Sequence, residues 1–133
     1  MENIYESSYT ENIENIEKWY ELLKTKKDTI RKVFSCMRES KIDIYEEEQM
    51  EEIYLGIKNG LVANEIMLYV NTNLDAFEWK KIREALELGI PYPSIKSIVD
   101  NEEGYDFYAI DRIKREYFLE LLHHEDDKDK PEM

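Results

Sequence analysis

The sequence predicts an all-α fold, a small helical-repeat bundle in which long and short helices alternate. Apolar residues recur at helical spacing almost everywhere, alternation of period two is nearly absent, and one thirteen-residue frame is written twice. The frame reads QMEEIYLGIKNGL at residues 49–61 and EWKKIREALELGI at residues 78–90. Superposed, the copies pair Ile53 with Ile82, Gly56 with Ala85, Ile57 with Leu86, Gly60 with Gly89 and Leu61 with Ile90.

A first helix is expected from Tyr9 to Lys24, with Ile13, Ile16, Tyr20 and Leu23 on one face and Ser8 with Glu11 as a capping box. A second runs from Thr29 to Glu39 behind Asp28 as N-cap and buries Ile30, Val33, Phe34 and Met37. The third, Glu46 to Asn59, buries Met50, Ile53 and Ile57, with Tyr54 at the border of the stripe. Gly60 stops it, because glycine reaches the left-handed conformation a helix end commonly needs. A short helix over Asn64–Val70 is closed by the polar run NTN. Asp75 and Glu78 form a capping box for the helix Ala76–Leu88, which buries Trp79, Ile82 and Leu86 with Phe77 at its border and is ended by Gly89. Pro91 and Pro93 forbid immediate continuation, so the next short helix spans Ser94–Val99. A last long helix, Tyr105 to His124, buries Ile110, Ile113, Tyr117 and Leu121. The charged tail, residues 125–133, has no apolar face and is expected to be disordered.

Residues 1–124 therefore read as one helical domain with units at about 28–45, 46–74, 75–104 and 105–124. In the last unit Ile110, Ile113 and Tyr117 take the places of Trp79, Ile82 and Leu86. In the first unit, twenty residues back, Ile30, Val33 and Met37 take those of Met50, Ile53 and Ile57, with Ser40 where the glycine would be. No such unit buries its apolar stripe alone, so successive units must stack. Gly56 and Ala85 lie one turn inside their helices, where a small side chain admits a close neighbour. A glycine there costs on the order of 1 kcal/mol of helix propensity, which packing has to offset.

The frame resembles a degenerate repeat, approximately Q-M-x-x-I-R-x-G-L-x-x-G-L-D-V-S-x-Y-A-x-P-x-F, of uncharacterised proteins from Gram-positive gut bacteria and their mobile elements. Gln49, Met50, Ile53, Gly56, Ile57, Gly60 and Leu61 carry the likeness, followed by Tyr69, Asn71 and Leu74. The second copy keeps Ile82, Arg83, Leu86, Glu87, Gly89 and Ile90, while Tyr54, Ala85 and Asn73 depart from the repeat. The resemblance implies a helical repeat module and brings no catalytic residue with it.

Chain length suffices for a core, since about 130 residues bury roughly two thirds of their unfolded surface. The lone Cys36, within a helical pattern, reads as a small buried hydrophobe. A start without a basic run or apolar core, and no long apolar stretch, lead us to expect a soluble cytoplasmic protein. The net charge is −13, unevenly spread: residues 24–41 hold seven bases and two acids, so the remainder carries −18. Such acidity repels nucleic acid and anionic membrane and favours basic partners.

No phosphate-binding glycine loop, nucleophile elbow, zinc spacing or paired carboxylates in unlike environments occurs. His123 and His124, beside Glu125, Asp126 and Asp127, read as a solvated helix end, not a metal site. No enzyme, cofactor or metal is therefore expected. The function read from these residues is a non-catalytic acidic module that binds a protein with a basic surface. Its sharpest form is a mobile-element inhibitor of a nucleic-acid-binding enzyme, of the anti-CRISPR or anti-restriction type, acting by nucleic-acid mimicry. Two faces are candidates: Tyr45 with Glu47, Glu48, Glu51 and Glu52, and Tyr105 and Tyr108 with Glu102, Glu103 and Asp106. Where the two frames differ, Glu51, Glu52 and Tyr54 against Lys80, Lys81 and Arg83, the side chains are expected to project outward. The alternative is a helix-turn-helix-like DNA-binding regulator using the basic patch Lys24, Lys27, Arg31 and Arg38.

Overall fold

The computed structural model describes the backbone of residues 2–44 and 46–129 and the side chains of residues 16–44 and 46–123. The Ser8–Glu11 capping box, Ile13 and Tyr45 lie outside those side chains. Six helices follow in order: α1 (Glu2–Glu39), α2 (Glu47–Lys58), α3 (Ala63–Val70), α4 (Ala76–Glu87), α5 (Tyr92–Val99) and α6 (Ala109–Asp129), with no strand among the described residues. The fold is all-α, and short helices α3 and α5 alternate with longer ones.

Although continuous in hydrogen bonding, α1 is two helices by shape. Lys26 leaves the helical region (φ −125°, ψ 28°). Beyond it the chain folds back far enough to bring the Phe34 ring 5.6 Å from that of Trp19, whereas a straight helix would hold the two roughly 22 Å apart. Thr25 Oγ1 donates to Leu22 O at 3.5 Å, a local bond that bends helices. The break replaces the expected cap at Asp28, which instead sits in the first turn after it, where the helix dipole favours a carboxylate. Trp19 also packs edge-on against Tyr54, at 5.4 Å, and this contact sets which face of the first segment turns inward. Leu22 is buried as a result, and Ile16 and Tyr20, expected in the core, are exposed.

Three helix ends share one cap. Ile42, Leu61 and Ile90 donate their backbone N–H to Met37, Gly56 and Ala85 O at 2.9, 2.9 and 3.3 Å. Lys41, Gly60 and Gly89 donate theirs to Arg38, Ile57 and Leu86 O, each at 3.1 Å. These two bonds define the Schellman motif, whose left-handed residue is Lys41 (φ 56°), Gly60 (φ 99°) and Gly89 (φ 93°) in turn. The glycine stops expected at 60 and 89 are present. In the first unit, however, the equivalent residue is Lys41 and not Ser40, so that copy is shifted by one position.

The long helices stack in parallel. Gln49 Nε2 donates to Leu74 O at 3.3 Å near the starts of α2 and α4, and Asn59 Nδ2 donates to Glu87 Oε2 at 2.8 Å near their ends. Lys81 reaches Asp111 at 3.4 Å near the start of α6, and the end of α4 at Gly89 lies against Tyr117. One continuous core results, with Trp79, Tyr69, Ile53, Ile82, Ile95 and Ile110 almost wholly buried. At Gly56 the close approach expected of a small residue is present, because a Cβ there would lie 2.5 Å from Tyr69 Oη and 3.3 Å from Ile66 Cγ1. Ala85 is fully buried, whereas Phe77, expected at the border of its stripe, is exposed.

At the N-terminal side of α6 the helix starts at Ala109, not Tyr105, because Asp106 Oδ1 accepts the Tyr108 N–H at 2.9 Å and Asp106 O accepts that of Ala109 at 3.1 Å. Ile110 is buried and Ile113 and Tyr117 half-buried, but Leu121 is exposed because α6 outruns α4. The helix backbone is described as far as Asp129. No helix among the described residues is long and apolar enough to cross a membrane.

Candidate partner-binding surface

Parallel stacking places the starts of α2, α4 and α6 along one edge of the array. Tyr105 Oη donates to Glu78 Oε2 at 3.0 Å, tying the loop before α6 to the first turn of α4. Gln49 ties the first turn of α2 to the residue before the α4 cap. The two acidic groups read from the sequence therefore lie toward the same edge: Glu47 and Glu48 in the first turn of α2, where the positive end of the helix dipole favours them, and Glu102, Glu103 and Asp106 in the loop that leads into α6.

Not every expected residue is free there. Glu47 and Glu48 are exposed, as is Glu46, and so are Glu102 and Glu103. Glu51 is half-buried and paired with Lys18, whose ammonium lies 4.1 Å from the centre of the Tyr54 ring. Glu52, expected to project outward, is buried, and its Oε2 accepts from Arg83 Nε at 2.6 Å. Tyr54 and Arg83 are buried too, and Lys81 is half-buried, which corrects the outward placement of all four. The physical reason is that α2 and α4 pack over a face wider than their apolar stripes, so the flanking charges are enclosed and must pair.

Arg83 Nη1 also bonds both carboxylate oxygens of Glu87, which in turn accepts from Asn59. Burial pulls the Arg83 guanidinium pKa down, but the hydrogen bond and charge of Glu52, followed by Glu87, outweigh it and leave it raised. Glu78 does not close the expected capping box. Asp75 Oδ1 accepts the Glu78 N–H at 3.0 Å, while the Glu78 side chain turns inward to Tyr105 and Lys81. Burial, then the Glu78 bond and charge, push the Tyr105 hydroxyl well above the usual tyrosine range. At Lys81 burial acts downward and is outweighed by Glu78 and Asp111, which raise it. Asp106 is half-buried and held below the usual carboxylate range, first by Arg112, 2.7 Å away, and then by the Tyr108 N–H.

What stays open on this edge is a set of carboxylates beside two aromatic rings. Tyr108 is 72% exposed and Phe107 54%, the latter held edge-on against Tyr105 at 5.2 Å. Phe107 gives no periodic signal in the sequence, because it sits in a loop between Asp106 and Tyr108 and outside any helical stripe. The alternative basic patch lies elsewhere, on α1. Lys24 is paired with Glu21 at 2.9 Å, while Lys27, Arg31 and Arg38 are exposed and, among the described residues, form no ion pair. No group of three or more metal-ligating side chains gathers among the described residues. Comparison with protein-family models, with curated proteins and with solved structures finds no match.

Proposed function

We propose that this chain is a protein-binding module whose acidic and aromatic edge docks on a basic surface, in the manner of an inhibitor that occupies a nucleic-acid groove. One observation carries the reading: the start of α2 and the loop before α6, both tied to the first turn of α4, bring exposed Glu46, Glu47, Glu48, Glu102 and Glu103 to the edge that also holds exposed Phe107 and Tyr108. Carboxylates in a row stand in for phosphates, and a desolvated ring supplies the apolar anchor that charge alone lacks. The net charge of −13 supports fast, salt-sensitive capture of a basic partner.

The reading is tested by adding the chain to nuclease cleavage reactions, with restriction and CRISPR nucleases as the panel. Inhibition that weakens with salt, and is lost in the variant Glu102→Lys/Glu103→Lys/Tyr108→Ala but kept in Lys27→Glu/Arg31→Glu, is the expected result. A tight complex with bare duplex DNA in a gel shift at about 50 mM salt, abolished by Lys27→Glu/Arg31→Glu, would replace it with the regulator reading. That second reading has its own support in the three exposed bases of α1.

A further inference from the structure

In a stacked array the first and last long helices have only one long neighbour each, and whatever is left uncovered on them must be polar if nothing is to cover it. Both carry exposed apolar side chains here. On one side, the two segments of α1 and the start of α2 enclose an open groove of about 660 Å³ lined by Ile16, Trp19, Tyr20, Leu23, Phe34 and Met50. Tyr20 at its lip is 63% exposed and Ile16 51%. On the other side, α6 runs on past Tyr117, the last of its described apolar side chains packed against the core, and carries exposed Phe118, Leu119, Leu121 and Leu122. Phe118 is 59% exposed and shares a helix face with Leu122 and Leu121.

The groove and the projecting helix do not serve each other within one chain, since among the described residues α1 and α6 make no contact. They are complementary between chains. The groove has the form that accepts an amphipathic helix, and α6 presents apolar side chains at the i, i+3 and i+4 spacing such grooves read. Beside Tyr20 lies a second hollow of about 400 Å³ lined by Glu17, Lys18 and Glu21, of which Lys18 is paired with Glu51 and Glu21 with Lys24. Glu17 forms no ion pair among the described residues, and neither does Arg115, which is exposed on α6 one turn before Phe118 and offers it the opposite charge. The unit order is continued as well, because every long helix inside the array has a long neighbour on both sides, and only α1 and α6 lack one.

We propose that copies of this chain associate head to tail, the overhanging end of α6 from one copy lying in the α1 groove of the next. This contact joins two different faces, and where the rotation between copies closes no ring each added copy leaves a groove open at one end and an α6 free at the other. The association proposed here is of that open kind and grows with concentration.

Light scattering on the full chain from micromolar to millimolar concentration reads it directly. The wild-type mass rises above that of one chain, 16.1 kDa, without levelling at two. Tyr20→Glu blocks only the groove and Phe118→Glu only the helix, so each alone stays at the one-chain mass. Mixed in equal amounts, they form a complex of two chains and nothing larger, because one intact groove meets one intact helix. Both side chains are exposed, so helical content is retained; should either variant lose it, Ile16→Glu or Leu122→Glu takes its place. A wild type that remains a single chain at millimolar concentration overturns the proposal. So does either variant associating as well alone as the wild type, which is the mark of a symmetric contact through the other face.

Discussion

Arg83 and Glu52 form a buried ion pair across the α2–α4 contact, Nε to Oε2 at 2.6 Å, and Arg83 extends it to Glu87 and Asn59. The pair fixes the register of two consecutive units, because its partners lie at the same height in parallel helices. Breaking it on one side leaves a charge without its partner inside the protein. Arg83→Leu is therefore expected to cost about 3–5 kcal/mol of stability in urea unfolding, and Glu52→Leu/Arg83→Leu to recover most of that loss. A double variant as unstable as the single one would mean that packing by the guanidinium, and not its charge, matters at this site.

The three Schellman caps make a prediction with opposite signs. Lys41 carries a left-handed backbone (φ 56°) that an L side chain adopts at a cost, whereas Gly60 and Gly89 adopt theirs freely. Lys41→Gly is expected to stabilise by about 1 kcal/mol, and Gly60→Ala to destabilise by about 1–2 kcal/mol through the backbone alone, because no atom lies within 4 Å of its new Cβ. Gly89→Ala should cost more, since its Cβ would come within 3.2 Å of Tyr117 Oη. Thermal melts of the three variants rank these terms.

The caps also mark how far the sequence can be read. Gly60 and Gly89 announce their helix ends by residue type, and the apolar stripes of α2 and α4 announce their faces by period. Lys41 announces nothing, because a lysine forced left-handed looks like any other, and the apolar pattern alone therefore aligns the first unit one residue out of register. The charges of Glu52 and Arg83 point to solvent; the signal for the pair is two opposite charges flanking the aligned Ile53 and Ile82. The apolar residues of the first α1 segment and the last turns of α6 defeat a periodic reading differently. Periodicity shows which side of a helix is apolar, not whether a neighbour is there to cover it, and past Tyr117 no described apolar side chain of α6 packs against the core.

Alkaline pH should weaken the fold through two tyrosines. Burial raises both Tyr69 and Tyr105 above the usual value of 10.0; the charges of Glu52 and Glu87 reinforce it and Arg83 opposes it at Tyr69, while Glu78 reinforces it at Tyr105. Above about pH 10 the unfolded chain has released these protons and the folded chain still holds them, so stability is intact below that pH and falls as pH rises through it. Tyr105→Phe removes one of the two groups. Its stability deficit against the wild type in urea should therefore narrow as pH climbs past 10.0, and a deficit that stays constant would show that Tyr105 ionises as readily when folded.

Gly56 and Tyr69 should prove energetically coupled. Tyr69 is fully buried, packs edge-on against Trp79 at 5.7 Å and donates its hydroxyl to Glu52 O at 2.7 Å, so it cannot swing away from a new methyl group 2.5 Å from Oη. Gly56→Ala gains helix propensity of on the order of 1 kcal/mol but forces the ring to shift and strands a buried hydroxyl, for a net loss of roughly 1–3 kcal/mol. Tyr69→Phe alone removes the hydrogen bond at a cost of about 1 kcal/mol. In that background the oxygen that opposed the methyl is gone and the nearest remaining obstacle is Ile66 Cγ1 at 3.3 Å. Gly56→Ala should then cost little, giving a coupling energy of at least about 1 kcal/mol in a double-mutant cycle. Additive costs would mean that the close approach of α3 to α2 is set by Ile66 and Leu61, with the tyrosine hydroxyl a bystander.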